Sequence, residues 1–495
     1  MPISQTFTQV TTVTHTRINR LTRLARPAVL ARTVGLAALL VACSTDQILD
    51  VTDIDVAKPE VLTGPTALPS LLAGAIGTFG SAYNGANTDV NQISLSGMIS
   101  DEFINTETFP TRIEIDIRHQ NYQTNGSLSG LFYETQRARA LADKTAEAYA
   151  EFDPTNVGFA EALNISALSL VLMAENYCSA IPLSKETSPG VFEYGPSLTT
   201  RAILDRAILK TDSAMTIATT GTQNRLARVI KARAQLDLDQ PAAASTTIGG
   251  TAGVPTSFQY IYQHSQTTGR QNNGTWSLVQ NSGRYGVGQV EGVNGLPYRV
   301  EGDTLLAGGI KDPRVANIKR ASNGGNGFDG ATPEWFQLKY PKRDTLVIVA
   351  DGVEARLIEA EAQLRAGNYA GMLATLTALN SDATVARLRG YNRPIPALVD
   401  LSAGTVTQQQ DQFFKQRAYW LYLTSHRLGD MRRLTRPATA TAPDISGYGR
   451  GIETVFPTGA YHKAGTYGTD VSSPIPQAED NNPNFVRAAC DIAKP

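Results

Sequence analysis

Apolar positions recur at intervals of three and four over most of the chain. Leu68, Leu72, Ala75, Ile76, Phe79 and Tyr83 form one such series, with Pro69 near its start, where a missing N–H is tolerated. Residues 131–152 carry Leu131, Ala138, Leu141, Ala142 and Tyr149 on one side. Residues 160–177 are apolar on several faces, with Leu163, Ile165, Leu168, Leu170, Val171, Leu172 and Met173, which predicts a central, buried helix. Further stripes run over 202–218, with Leu204, Ala207, Ile208, Ala214 and Met215, and over 225–238. In the second, Ala227, Ile230, Ala234 and Leu238 oppose Arg225, Arg228, Lys231 and Gln235. Val353, Leu357, Ala360 and Leu364 repeat in the same way, and a last helix is expected over 413–425. One stretch keeps a different period. "TRIEIDIRH" alternates Ile113, Ile115 and Ile117 with Arg112, Glu114, Asp116 and Arg118, which predicts a half-buried extended segment with its charges outward.

The helices come in pairs. "KARAQLDLDQPAAAS" and "EAEAQLRAGNYAGMLATL" share a plan: an Ala-rich helix, a short turn, then a second helix of small residues. Gly367, Asn368, Tyr369 and Ala370 stand where a tetratricopeptide turn carries Gly-x-Tyr. Small residues let helices approach closely, and stacked pairs bury a shared core. The pairs are too far apart in sequence for a regular array. The expected fold is therefore mainly α, with tetratricopeptide-like helical pairs interrupted by long loop-rich insertions. The largest insertion covers about 249–351 and is rich in Gly, Asn, Ser and aromatic residues. So long an irregular stretch is usually functional. Residues 184–199 and 436–495 read as polar loops.

Composition adds a leader and removes several functions. The apolar run 34–42 is far shorter than the ~20 residues of a membrane-spanning helix. It follows Arg17, Arg20, Arg23, Arg26 and Arg32, with no acidic residue before Asp46, as in a secretory signal. Residues 1–42 are read as a signal peptide and 43–495 as one domain. The formal net charge is −1, which leaves no nucleic-acid footprint. Export would put Cys178 and Cys490 in an oxidising compartment, where a pair tends to become a disulfide.

Leu40-Val41-Ala42-Cys43 resembles a bacterial lipobox, in which the cysteine becomes the lipidated first residue of the mature chain. Two or more acyl chains hold a protein firmly to a membrane. Together with this leader, several ordered stretches resemble the SusD/RagB family of outer-membrane nutrient-binding lipoproteins. "LDVTDIDVAKPEVL" is similar to that family's post-anchor segment. "AENYCSAIPLS" is similar to its Tyr-Gly-Asp-x-Pro passage, with Cys178 and Ser179 replacing Gly and Asp. "KDPRV", "EARLIEAEAQLRAGNYAGML" and "RAYWLYLTSHRLGDMRRL" follow in the family's order. The resemblance implies a SusD-like α-α superhelix and a surface lipoprotein on the outer membrane. It implies capture of oligosaccharides or peptides for a TonB-dependent, SusC-like transporter, with no catalysis and no cofactor. A helical-repeat scaffold lipoprotein that binds other envelope proteins is the alternative.

Catalytic and metal motifs are scarce. The five histidines are scattered, and no HExxH, CxxC or Gly-x-Ser-x-Gly occurs. "GRYGVGQVEG" leads into loop sequence and reads as a turn, not a dinucleotide fingerprint. Asp101 with Glu102, or Glu114 with Asp116, could serve a glycosidase only if two carboxyls met roughly 5–10 Å apart. Arg427, Asp430, Arg432 and Arg433 read as an ion-paired helix end, with a phosphate site as the other possibility. Ligand recognition is expected in the 249–351 insertion, where aromatic faces stand beside amides. Trp276, Tyr285 and Trp335 are the candidate stacking rings, with Asn273 and Arg284 as polar partners.

Overall fold

The computed structural model describes residues 64–86, 89–188, 191–305 and 311–495, which fall in one compact unit, Leu62–Pro495. Cys43 and the leader lie outside the described residues. The expected helices form, with shifted ends: α1 (Leu68–Asn84), α2 (Gln92–Ile99), α3 (Pro110–Asp116), α4 (Gly126–Phe152), α5 (Val157–Asn176), α6 (Thr200–Ile217), α7 (Gly221–Asp237) and α8 (Pro241–Ile248). After the insertion come α9 (Gly352–Arg365), α10 (Tyr369–Ser381), α11 (Val406–Trp420) and α12 (Arg427–Thr435). The fold is mainly helical. Helices α4 to α10 pack each on the next, and α1 packs on α4, so the chain winds as successive antiparallel pairs.

Side-chain caps set several helix starts. Asn125, Asn156, Thr199 and Asp351 each accept a backbone N–H of the first turn of α4, α5, α6 and α9. Helix α5 is the central one. It is long and apolar enough to pass for a membrane span, yet it is 83% buried within the fold. Several polar groups on it are matched: the Asn164 amide N–H donates to the Gln223 carbonyl at 3.0 Å, and Glu175 meets Arg233 at 2.6 and 2.5 Å, while the side-chain carbonyl oxygens of Asn164 and Asn176 lack partners among the described residues. Burying a polar group is costly unless it is so partnered.

Two expectations fail locally. Residues 110–116 are helical, not extended, and Arg112 and Asp116 are buried while Ile113 and Ile117 are only half-buried. Pro110 starts the helix, and the buried charges are held by partners from elsewhere: Glu107 at 2.6 Å for Arg112 and the Tyr461 hydroxyl at 2.6 Å for Asp116. The helix expected to run through residue 425 stops at Trp420. Leu423 and Ser425 take positive φ, and α12 then starts in a new direction.

Strands are short and confined to irregular regions: β1 (Phe103–Asn105), β2 (Ile181–Pro182), β3 (Lys185–Ser188), β4 (Val191–Glu193), β5 (Ser197–Leu198), β6 (Gln259–Tyr262), β7 (Tyr285–Val287), β8 (Asn317–Lys319), β9 (Trp335–Gln337) and β10 (Val347–Asp351). They pair antiparallel as β1–β7, β2–β5, β3–β4, β6–β10 and β8–β9. The insertion is not a free loop. Tyr285, Tyr298 and Tyr340 are buried in the same core as the helices. Cys178 and Cys490 are joined by a disulfide with Cα atoms 5.1 Å apart, which ties the C-terminal segment to the end of α5.

Candidate functional site

The site begins where β1 meets β7. Asn105 pairs with Tyr285, and the Gly288 N–H donates to the Glu102 carbonyl at 3.0 Å. A Cβ on Gly288 would stand 2.3 Å from the Asp101 carbonyl oxygen, so this glycine of "GRYGVGQVEG" serves a close backbone approach. This pairing brings α3, the insertion and residues 457–468 around one open cleft of about 960 Å³.

Each wall is held by buried polar contacts. Glu107 forms an ion pair with Arg112, Nε 2.6 Å away, and accepts a hydrogen bond from Arg284 Nη1 at 2.5 Å. Arg284 lies between two rings, 5.1 Å from the centre of Phe109 and 4.3 Å from that of Phe328. Both rings keep much of their surface open, at 46% and 49%. Opposite, Lys463 Nζ donates to Asp329 at 2.7 Å and also to the Glu107 carbonyl. His462 Nε2 donates to the Asn105 carbonyl at 2.9 Å, leaving Nδ1 4.0 Å from the Glu291 carboxylate. Tyr467 donates to that carboxylate at 2.9 Å.

Burial governs the protonation of these groups. It pushes Glu107 up despite its two arginines, and it pushes Glu291 up and His462 down. It raises Asp116, beneath the cleft, to about 7 against the bonds from Tyr461 and the Asn105 N–H. Asp329 goes the other way. Burial opposes its charge, but Lys463, Thr332 and two backbone N–H groups hold it at about 2. Glu107 and Asp329 are thus tied by cations, while imidazole, carboxyl and hydroxyl groups line the floor. Arg112 also stands 4.4 Å from the centre of Phe109, so guanidinium groups cover part of both rings, and what each leaves exposed, with the polar floor, is suited to a ligand with both C–H faces and hydroxyls.

The structure brings together only part of the expected set. Arg284 does not line the cleft itself; it bonds Glu107, which does. Trp335 is adjacent, but Arg299 covers one face at 4.2 Å and Asp303 accepts its indole N–H at 3.2 Å. Tyr285 is fully buried against Phe103 and offers no stacking face, because its strand pairs with β1 on the core side. Asn273 is also fully buried; its carbonyl oxygen caps a helical turn at Trp276 and its amide donates to the Thr345 carbonyl. Trp276 packs with Arg343 at that corner and does not line the cleft. The carboxylates considered for catalysis have structural partners: Asp101 pairs with Arg427, Glu102 accepts the Leu423 N–H, and Glu114 accepts Asn125. In the helix end, Asp430 binds Arg417 and Arg433, as an ion-paired reading expects.

Phe109, Phe328, Tyr461, His462 and Lys463 were not among the expected site residues. The glycine-dense "NGGNGFDG" around Phe328 and "YHKAGTYG" near the end were the available signals. Among the described residues, no group of three or more His, Cys, Asp or Glu side chains could hold a metal ion.

No protein-family model and no curated protein matches the chain. Solved structures do. A surface glycan-binding protein A from Bacteroides uniformis superposes with a TM-score of 0.58 at 13% identity, over 85% of this chain and 99% of that one. A SusD-like carbohydrate binding protein from Bacteroides vulgatus gives 0.56 at 13% identity, over 87% and 99%. A laminarin binding SusD-like protein gives 0.51 at 15% identity, over 78% and 96%. The fold is the SusD-like helical fold.

Proposed function

We propose that the chain is a carbohydrate-binding protein of the cell surface, lipid-anchored through Cys43 in the outer membrane. It captures oligosaccharides in the cleft and passes them to a TonB-dependent, SusC-like transporter. Binding, not catalysis, is its role. The observation that carries this reading is the open cleft lined by Gln289, Thr332, Tyr461 and His462, with the half-exposed Phe109 and Phe328 each next in sequence to a lining residue. Sugars present C–H faces to such rings and hydroxyls to such polar groups. The fold shared with proteins described as glycan- and laminarin-binding supports the same ligand class.

The test is calorimetry of the purified full chain against a panel of neutral and acidic oligosaccharides, with peptides as a second arm. Saturable heat with a glycan that falls in Phe328→Ala, with the melting temperature kept, supports the reading. Heat with peptides alone, or none in either arm, overturns it. Anchoring is tested separately in a host that processes lipoproteins. The mature mass should begin at a lipidated Cys43, and Cys43→Ala should leave the membrane fraction.

A further inference from the structure

A second cavity, of about 230 Å³, lies where the start of α6 meets the end of α12, beside the disulfide-tethered segment. Arg432 and Arg436 line it, 2% and 4% exposed. Neither forms an ion pair among the described residues, unlike Arg427 and Arg433 on the same helix. Arg432 donates only through Nη1, to the carbonyls of Ala174, Glu175 and Tyr177 at 2.8, 2.7 and 3.0 Å, and its Nε is buried without a partner. Arg436 donates only through Nη1, to the Asp237 carbonyl at 2.6 Å. Both guanidinium groups are thus nearly withdrawn from water, with Asp237 and Glu175 the nearby negative charges and some donors unspent, so an anion in the cavity would add compensation. Burial, and for Arg432 the nearby Arg436 charge, lowers both from the usual arginine value, Arg432 to about 9.

The third wall is the first turn of α6. The Thr199 hydroxyl caps it by accepting the Ala202 N–H, and the Ser179 hydroxyl accepts the Thr200 N–H, both at 3.2 Å. The positive end of the helix dipole therefore faces the same space. The lining carboxylates are engaged at the exposed side: Asp444 with Lys494 at 3.3 Å, and Asp491 with the Ala493 N–H at 3.0 Å.

We propose that this cavity is an oxyanion site that takes one sulfate- or phosphate-type group, free or as the ester end of a sugar. Arg432 and Arg436 supply the charged donors, and the α6 dipole, whose first N–H groups are already capped, adds only a favourable field. The planar fork of a guanidinium matches two oxygens of such a group. The site is separate from the cleft and stands whatever the cleft binds.

The full, oxidised chain is titrated with sodium sulfate and with sodium phosphate, by calorimetry and by thermal melting, against sodium chloride at equal ionic strength. The expected result is one saturable site and a melting temperature that rises and then levels off. Arg436→Gln should weaken binding about tenfold or more through loss of a charge-assisted donor. Ser179→Asp, which sets a fixed carboxylate beside the arginines, should abolish the response in a folded protein. Salting-out raises the melting temperature without saturation, so an equal, unsaturating rise in wild type and both variants overturns the proposal. Galactose 6-sulfate and galactose form the second arm. Binding of the ester but not the parent sugar assigns the site to sulfated sugars, and binding of the inorganic ions alone assigns it to free oxyanions. Galactose displacing sulfate from this site as well as its sulfate ester does would overturn it.

Discussion

Arg427 and Asp101, 326 positions apart, form a two-pronged ion pair in the core, with Nε–Oδ1 at 2.7 Å and Nη2–Oδ2 at 2.9 Å. Asp101 also accepts the Leu296 N–H at 2.8 Å. One carboxylate thus locks α12, the turn that follows α2 and the insertion together. Removing one partner of a buried pair costs ~3–5 kcal/mol, because the other charge stays behind unpaired. Arg427→Ala should lose about that much in urea unfolding. A loss below ~1 kcal/mol, as for an exposed pair, would show that the pair does not hold these segments.

The disulfide closes a loop with a sequence separation of 312. Loop-entropy theory allows on the order of 5 kcal/mol at most for so long a loop, and often less in practice. Cys178→Ser/Cys490→Ser should melt well below the parent, and reductant should lower the parent but not the double variant. Two alkylatable thiols in the native, unreduced protein would contradict the bond.

Asp116 gives a pH signature. Its folded pKa of about 7 lies above the ordinary aspartate value of 3.8. A raised carboxylate contributes most below the unfolded value, and that contribution is lost as pH climbs through the folded one. Stability should therefore fall between about pH 4 and 7 through this group. Asp116→Asn, which can still accept from Tyr461, should flatten that part of the curve. An unchanged slope in chemical unfolding at several pH values would remove Asp116 as the cause.

Two aromatic substitutions should separate site from core. Phe328→Ala should weaken glycan binding by ~1–3 kcal/mol, by analogy with ring stacking on bases, at nearly constant stability. Tyr285→Ala should instead cost ~3–5 kcal/mol of stability, as large buried aromatics do. Calorimetry paired with melting curves reads both. Equal behaviour of the two variants would mean that exposure does not decide which ring meets ligand.

Ring exposure is also where the sequence stops speaking. Tyr285 and Phe328 both stand among glycines in the insertion, and nothing local distinguishes them. Tyr285 is buried because β7 pairs with β1 from a distant part of the chain, and Phe328 is exposed because its loop lies at the cleft rim. The sequence by itself determined the helices, since a repeat of three and four residues puts one apolar stripe on a helix wherever it packs. It also identified Cys178 and Cys490 as a candidate pair, without their separation in space. The same local logic misread 110–116. There the apparent alternation came from charges buried by Glu107 and Tyr461, partners that periodicity cannot see. The cleft is a meeting of α3, the insertion and residues 457–468, and the oxyanion cavity a meeting of α6, α12 and the tethered tail. Such sites depend on contacts between segments hundreds of positions apart, which only the tertiary structure could decide.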